Sequence, residues 1–398
     1  MSQQPISLSP DLRRLSEEGY ALDIRQGYLL VADIPYVNAN REIQRGTLIC
    51  PLELAGDVAR PPADHVAKWA GDHPCHFDGS KLTRIEHSSA REKLFSDVFA
   101  EHTFSAKPKG TPAESYSDFY EKVTRYVAII SGPAEHLDPE VTARTHRVVE
   151  PSQDEAIFKY ADTASSRTHI VAITEKLKVP RVAIIGVGGT GSYVLDLIAK
   201  SPVMEIHLFD KDYFLQHNAF RSPGAPSKAA LQKIPSKVEY FRDLYSNMRE
   251  GIIAHKEYVD ESNIEKLREM SFVFVCIDQG EPKVLIFAKL TEWRIPFVDV
   301  GMGVYKAGDS LGGILRITSA TEAKHDHLER HTSFGGGDPN ADYSQAIQIA
   351  DLNALNATLA VIKWKKLCGF YLDLEREHHT TYTIDGNAVI NEECLGLS

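Results

Sequence analysis

Four glycines, Gly186, Gly188, Gly189 and Gly191, come directly after a short apolar run at residues 181–185. They open a stretch in which Tyr193, Leu197 and Ile198 fall at helical spacing. A strand that turns at once into a helix needs glycine wherever a side chain would collide. The turn also leaves backbone N–H groups and the helix N-terminus facing any anion that enters. This spacing, after a strand and before a helix, is that of a phosphate-cradling loop. Asp210 ends the next strand-like run, where a carboxylate accepts hydrogen bonds from ribose hydroxyls. The bland alternative is that the glycines serve the turn alone, and a functional loop of this kind serves NAD as well as a mononucleotide.

The rest of the second half reads as an open α/β sheet. Strand-like runs at 205–210, 272–277 and 296–300 alternate with helical patterns through Val238, Phe241, Tyr245 and Met248 and over residues 283–294. Such alternation predicts a Rossmann-like, mainly parallel sheet with helices on both faces. A strand at 311–318 comes next, then a polar loop over 319–342 with a glycine run at 335–337. A long helix from about residue 344 to 367 and a hairpin over 382–390, around Asp385-Gly386, complete the chain.

The first half is a mixed, strand-rich α+β region. Strands are expected at 20–24 and 28–31, joined at Gln26-Gly27, with loops and short elements from 51 to 79. A further strand is expected from Tyr126 to Ile130, ending at Ser131-Gly132-Pro133. The polar stretch at 149–162 marks the boundary. It separates an accessory N-terminal domain over 1–155 from a C-terminal domain over 156–398, entered through a helical pattern at Ile170, Ile173 and Leu177.

Composition narrows the setting. A net charge of −11 argues against broad binding to nucleic acid or anionic membrane. Five scattered cysteines form no disulfide framework, which fits a reducing compartment. The N-terminus has neither a basic start nor an apolar run, and no segment approaches the roughly 18 unbroken apolar residues of a membrane span. The expectation is a cytoplasmic protein of two domains.

The residues after Asp210 separate the nucleotide readings. The segment from Asp210 through Asp212 and Asn218 to Arg221 resembles the D-x-D…N-x-x-R segment of ThiF-like and ubiquitin-activating adenylyltransferases. Pro235-Ser236-Lys237-Val238 is similar to that family's helix start. Val275-Cys276-Ile277-Asp278 resembles its strand-ending aspartate, and Ile295 to Gly301 its next strand. The resemblance covers about residues 167–318, of the bacterial kind with an accessory N-terminal domain. It implies adenylation of the C-terminal glycine carboxylate of a ubiquitin-like or sulfur-carrier protein by ATP and Mg²⁺, in a homodimer. Arg221 and Lys237 are then suited to the triphosphate, by a guanidinium fork and a point charge. Asn218 can hydrogen-bond phosphate without adding charge, and Asp278 would hold Mg²⁺. Asp212 serves either the ribose or metal, or a turn. Arg167, just before the first strand, either reaches a partner subunit's site or is a plain surface arginine.

The chain also departs from the family. The loop at 319–342 has no cysteine where many relatives carry a catalytic one, and no C-x-x-C pair marks a zinc site. Cys394 is the mobile thiol of the second half, or incidental, and Cys276 lies in a core strand. In the first half Cys75 is flanked by His73 and His76, with His65, His87 and His102 nearby. Three readings stand: a thiol that receives the activated carboxyl, a metal site with His73, His87 or His102, or polar side chains that stabilise loops. Two other functions compete with adenylation: an NAD-dependent oxidoreductase, and a nucleotide-binding scaffold without catalysis.

Overall fold

Val182 and Ile184 point to one side of the Arg181–Ile185 strand, Ala183 and Ile185 to the other, and all four are buried. A strand buried on both faces belongs inside a sheet that helices cover on both sides. The computed structural model describes residues 4–96, 98–108, 115–151, 157–168, 170–278, 280–332 and 347–395, and it has this arrangement. In sheet order, the strands Ile252–His255, Glu205–Phe209, Arg181–Ile185, Phe272–Val275 and Phe297–Ala307 run parallel. Ser310–Ala320, His379–Thr383 and Ala388–Glu392 extend the sheet antiparallel to eight strands.

Helices Gly189–Ala199, Lys237–Tyr245 and Ala350–Leu367 cover one face, where Phe241 and Trp364 are fully buried. Helix Gly280–Glu292 and the turn Ile264–Leu267 cover the other, where Leu290 packs with Phe297. The fold is therefore the expected Rossmann-like α/β sheet, with an antiparallel extension. The long helix begins at Ala350; residue 344 and the glycine run at 335–337 lie outside the described residues. The pattern at Ile170, Ile173 and Leu177 gives only short turns, Val171–Thr174 and Glu175–Leu177, because Leu177 alone of the three is buried. No helix among the described residues is long and apolar enough to cross a membrane.

The chain divides into two compact units: Met1–Ala156 with Tyr160–Ile170, and Ile157–Lys159 with Val171–Ser398. Residues 157–159 join the second because they hydrogen-bond to the segment after the Lys237–Tyr245 helix, with Lys159 N–H 2.9 Å from Met248 O and Glu250 N–H 2.8 Å from Ile157 O. The first unit is built on an antiparallel six-stranded sheet. Its first hairpin, Ala21–Arg25 with Tyr28–Val37, turns at Gln26 and Gly27, both at positive φ (45° and 79°). Two successive left-handed residues make the tight hairpin turn whose twist matches the strands.

One expectation is overturned. Tyr126 to Ile130 lies inside a helix, Phe119–Leu137, not a strand. Phe119, Val123, Tyr126, Val127, Ile130 and Ala134 recur at intervals of three and four and form one buried face. The short aromatic and β-branched run mimics a strand when read alone, but burial of that face against the sheet decides the outcome. Asp118 starts the helix by accepting the Glu121 N–H at 2.7 Å, while the Glu121 carboxylate accepts the Ser117 N–H at 3.0 Å. Replacing Asp118 with Ala should cost the first unit about 1 kcal/mol, seen as an earlier urea midpoint. Asp118→Asn should keep most of it, since the amide oxygen still caps; equal loss in both variants would refute the capping assignment.

Candidate active site

From the Arg181–Ile185 strand the chain steps outward to Glu205–Phe209 and Ile252–His255, then returns to the opposite side with Phe272–Val275. The strand order reverses at this point, and such crevices at the carboxyl ends of strands are where open α/β sheets bind ligands. A cavity of about 480 Å³ lies here, lined by the glycine loop and by Asp210, Asp212, Arg221, Lys237, Tyr258, Asp278, Asn353 and Asn356, among others.

The loop is held by steric necessity. A Cβ on Gly186, whose φ is +85°, would lie 2.6 Å from the Cys276 carbonyl oxygen, and one on Gly191 would lie 1.8 Å from that of Gly186. A Cβ on Gly189 would collide with the Asn353 side chain at 2.2 Å. At Gly188 it would meet nothing within 4 Å, so the loop is open to the cavity at that residue.

Asp210 is buried, and its carboxylate accepts the N–H groups of Val187 at 3.0 Å and Asp212 at 2.9 Å, tying the loop to the second strand. Lys237, also buried, places Nζ 2.7 Å from Asp212 and 3.5 Å from Asp210. Burial pushes the Asp210 carboxyl above its usual range, with Lys237 opposing. Burial also acts against the Asp212 carboxylate, but hydrogen bonds from Lys237 and Tyr258 prevail and hold it below that range.

Arg221 lines the cavity with a different status. Its Nε is buried without a hydrogen-bond partner, and among the described residues no carboxylate forms an ion pair with it. Asp278 lies exposed at the cavity, 3.3 Å from Gln348 Nε2. Asn218 stands apart from the others, outside the cavity lining. Its side-chain oxygen accepts the Leu215 N–H at 2.8 Å and its carbonyl accepts the Arg221 N–H at 3.1 Å, so it shapes the turn that carries Arg221.

Among the described residues, Arg167, Cys75 and Cys394 are not part of the cavity lining. Arg167 belongs to the first unit, where it pairs with Glu17 at 3.3 Å. Cys75 is fully buried, with its thiol 3.3 Å from the His73 carbonyl, and burial raises its pKa. His73 and His102 pack edge to face 4.9 Å apart and His73 Nε2 is 3.3 Å from Glu86; among the described residues no converging metal-ligand group includes Cys75. Cys394 is exposed, but partial burial and then Glu375 and Glu377 raise its thiol. Cys276 lines the cavity, its thiol raised by burial and by Asp299.

Sequence reasoning missed two asparagines. Asn353, fully buried, donates to the Arg221 carbonyl at 3.1 Å and accepts from Thr190 at 3.1 Å, so it fastens the glycine loop to the arginine turn. Asn356 donates to the Gly301 carbonyl at 3.1 Å and leaves its buried Oδ1 unpartnered. The available signal was their place on the buried face of the Ala350–Leu367 helix, beside Ala357, Ala360 and Trp364. Asp299 was missed as well: fully buried, it lies 2.7 Å from Lys283 and 2.9 Å from Arg316.

Residues 10–163 match a family described as Domain of unknown function (DUF6791). Ubiquitin-like modifier-activating enzyme 5 of Drosophila mojavensis is 26% identical over 150 residues, which is 35% of this chain and 38% of that protein. The mouse (Mus musculus) enzyme is 24% identical over 35% of this chain and 37% of its own length. The chain thus matches well under half the length of these curated relatives. Among solved structures, E. coli MccB with ATP is 18% identical with a TM-score of 0.45, covering 63% of this chain and 74% of that one. Another E. coli MccB structure is 17% identical with a TM-score of 0.47, covering 60% and 73%. Residues 160–311, which contain the glycine loop, Asp210, Arg221, Lys237 and Asp278, match the ThiF family, and the chain carries a ThiF family domain over that span.

Proposed function

We propose that this chain uses ATP to adenylate the C-terminal glycine carboxylate of a ubiquitin-like or sulfur-carrier protein, releasing pyrophosphate. The observation that carries the reading is Arg221, a guanidinium with a buried, unpartnered Nε beside a glycine loop that is open at Gly188. A charged donor left without a partner in a protein interior is costly unless a ligand supplies the acceptor. Curated relatives of this chain include ubiquitin-like modifier-activating enzymes, which supports a protein tail as the substrate.

In this reading each side chain has a task. Asp210 and Asp212 accept the ribose hydroxyls. Lys237 divides its charge between those two carboxylates, so Arg221 is the principal cation for the phosphates as the substrate carboxylate attacks the α-phosphorus. The cavity volume of about 480 Å³ suits a ligand of nucleotide size. Magnesium would neutralise charge on the departing pyrophosphate, and Asp278 fits it as an exposed oxygen ligand for an ion that keeps several waters. The tail enters past Gly301 and Met302, which line the cavity beside Asn356. A reducing, cytoplasmic compartment fits five free cysteines.

Homodimerisation, implied by the same resemblance, gives Arg167 a role in the partner subunit's site. Its pairing with Glu17 is between exposed groups (63% and 46%), an interaction easily exchanged. Mixing Arg167→Ala with Asp278→Ala subunits should then restore part of the lost activity, and no restoration would remove the assignment in trans.

Thermal unfolding tests the nucleotide first. Mg·ATP at about a hundred times its dissociation constant should stabilise the chain by roughly 2.7 kcal/mol. Arg221→Ala should abolish the shift, whereas a shift with NAD alone would overturn the reading. Asp278→Ala should lower ATP–pyrophosphate exchange about 10²–10³-fold, and undiminished exchange would sink its role. The thiols give an independent expectation. Burial raises Cys50, Cys75, Cys276 and Cys368, so native protein treated with iodoacetamide at neutral pH should be labelled slowly, at Cys394 alone. Rapid native labelling of Cys75, or a reducible Cys75 adduct with the activated protein, would restore the thioester route.

A further inference from the structure

Four histidines, His327, His331, His378 and His379, gather at the end of the second unit's sheet remote in sequence from the glycine loop. His379 opens the strand His379–Thr383, and His331 ends the short helix Leu328–His331. The sheet register sets Thr318, His379 and Glu392 side by side on three neighbouring strands. The His331 and His379 rings stack with centroids 3.8 Å apart. One nitrogen from each ring and one oxygen of Glu392 lie within 4.8 Å of one another, the one such convergence of potential metal ligands among the described residues.

From this convergence we propose that His331, His379 and Glu392 form a binding site for a zinc-class divalent cation. Two imidazoles and a carboxylate are a donor set that zinc accepts, with a fourth position left for water. Ligands about 2.1 Å from a tetrahedral ion stand roughly 3.4 Å apart, so small side-chain movements close the set. His379 Nε2 already lies 3.9 Å from a Glu392 oxygen, and Glu392, 54% exposed, is free to swing in.

The surroundings are those of a ligand shell. His379 Nδ1 lies 3.0 Å from Thr318 Oγ1, which orients the ring and leaves Nε2 as the ligand atom. His331 Nε2 lies 3.0 Å from Glu393 Oε1, and Glu393 is itself held by Lys324 and Arg330. A carboxylate against a ligating imidazole raises its basicity. The cation would join the His331 helix to the two C-terminal strands without any cysteine.

The test uses untagged full-length protein, stripped with EDTA and titrated with Zn²⁺ and separately with Co²⁺. We expect one equivalent bound at this site, a visible absorption band of tetrahedral intensity with Co²⁺, and a rise in melting temperature that EDTA reverses. His331→Gln, His379→Gln and Glu392→Gln should each weaken binding at least tenfold, with Cys394→Ser unchanged. Glu392 is exposed, so its variant tests the site even if a histidine variant fails to fold. No tight equivalent in the wild-type chain, or wild-type affinity retained in the Glu392→Gln chain and in any folded histidine variant, would overturn the site.

Discussion

Backbone meets backbone at the centre of the second unit, and only glycine permits it. The carbonyl of Gly186 occupies the space a Gly191 side chain would need, and the carbonyl of Cys276 occupies that of Gly186. These contacts bring the Gly189–Ala199 helix down on its strand and bring the end of the returning strand, with Asp278 just beyond it, against the same loop. The cavity therefore arises from close approach at a reversal of strand order. Asn353 completes the arrangement by linking Thr190 to the Arg221 carbonyl across the loop.

The charges sort themselves on either side of that loop. On the flank of the Glu205–Phe209 strand, Lys237 faces two carboxylates, Asp210 and Asp212, for a formal sum of −1. On the flank of the Phe272–Val275 and Phe297–Ala307 strands, Asp299 faces two cations, Lys283 and Arg316, for a formal sum of +1. Burial raises the Asp299 carboxyl while Lys283 and Arg316 oppose it, which is the condition for keeping a fully buried charge. Neither cluster forms an ion pair with Arg221 among the described residues. A ligand with hydroxyl donors at one end and phosphates at the other matches this polarity.

Much of the second unit was legible because its signals are local. Apolar runs, helical spacing and the glycine loop fix strands, helices and the loop conformation within a few residues of each other. The first unit was less legible. Tyr126 to Ile130 carries strand-forming residues, and only its partners across the sheet show that Phe119, Val123 and Ala134 belong to the same face. Asn218 illustrates a second limit: its spacing to Arg221 was readable, but a carboxamide three residues from an arginine serves a phosphate or a turn equally well. The asparagines of the Ala350–Leu367 helix and the histidines of the C-terminal strands were harder still. Their partners lie many residues away in sequence, so no window along the chain contains both halves of the interaction.

Sheet register ties these distant features together. Asp299, Thr318, His379 and Glu392 are successive neighbours across four strands, each step about 4.8 Å. Arg316 crosses this row, binding Asp299 with one nitrogen and the His331 carbonyl with another. It thus offsets the burial of Asp299 behind the cavity and anchors the helix that bears His331. A cation at His331, His379 and Glu392 would fix the outer end of the row, and Lys283 already fixes the inner end. The antiparallel extension is then more than an edge cover for the parallel sheet. It holds in place the guanidinium that makes a buried aspartate tolerable beside the cavity.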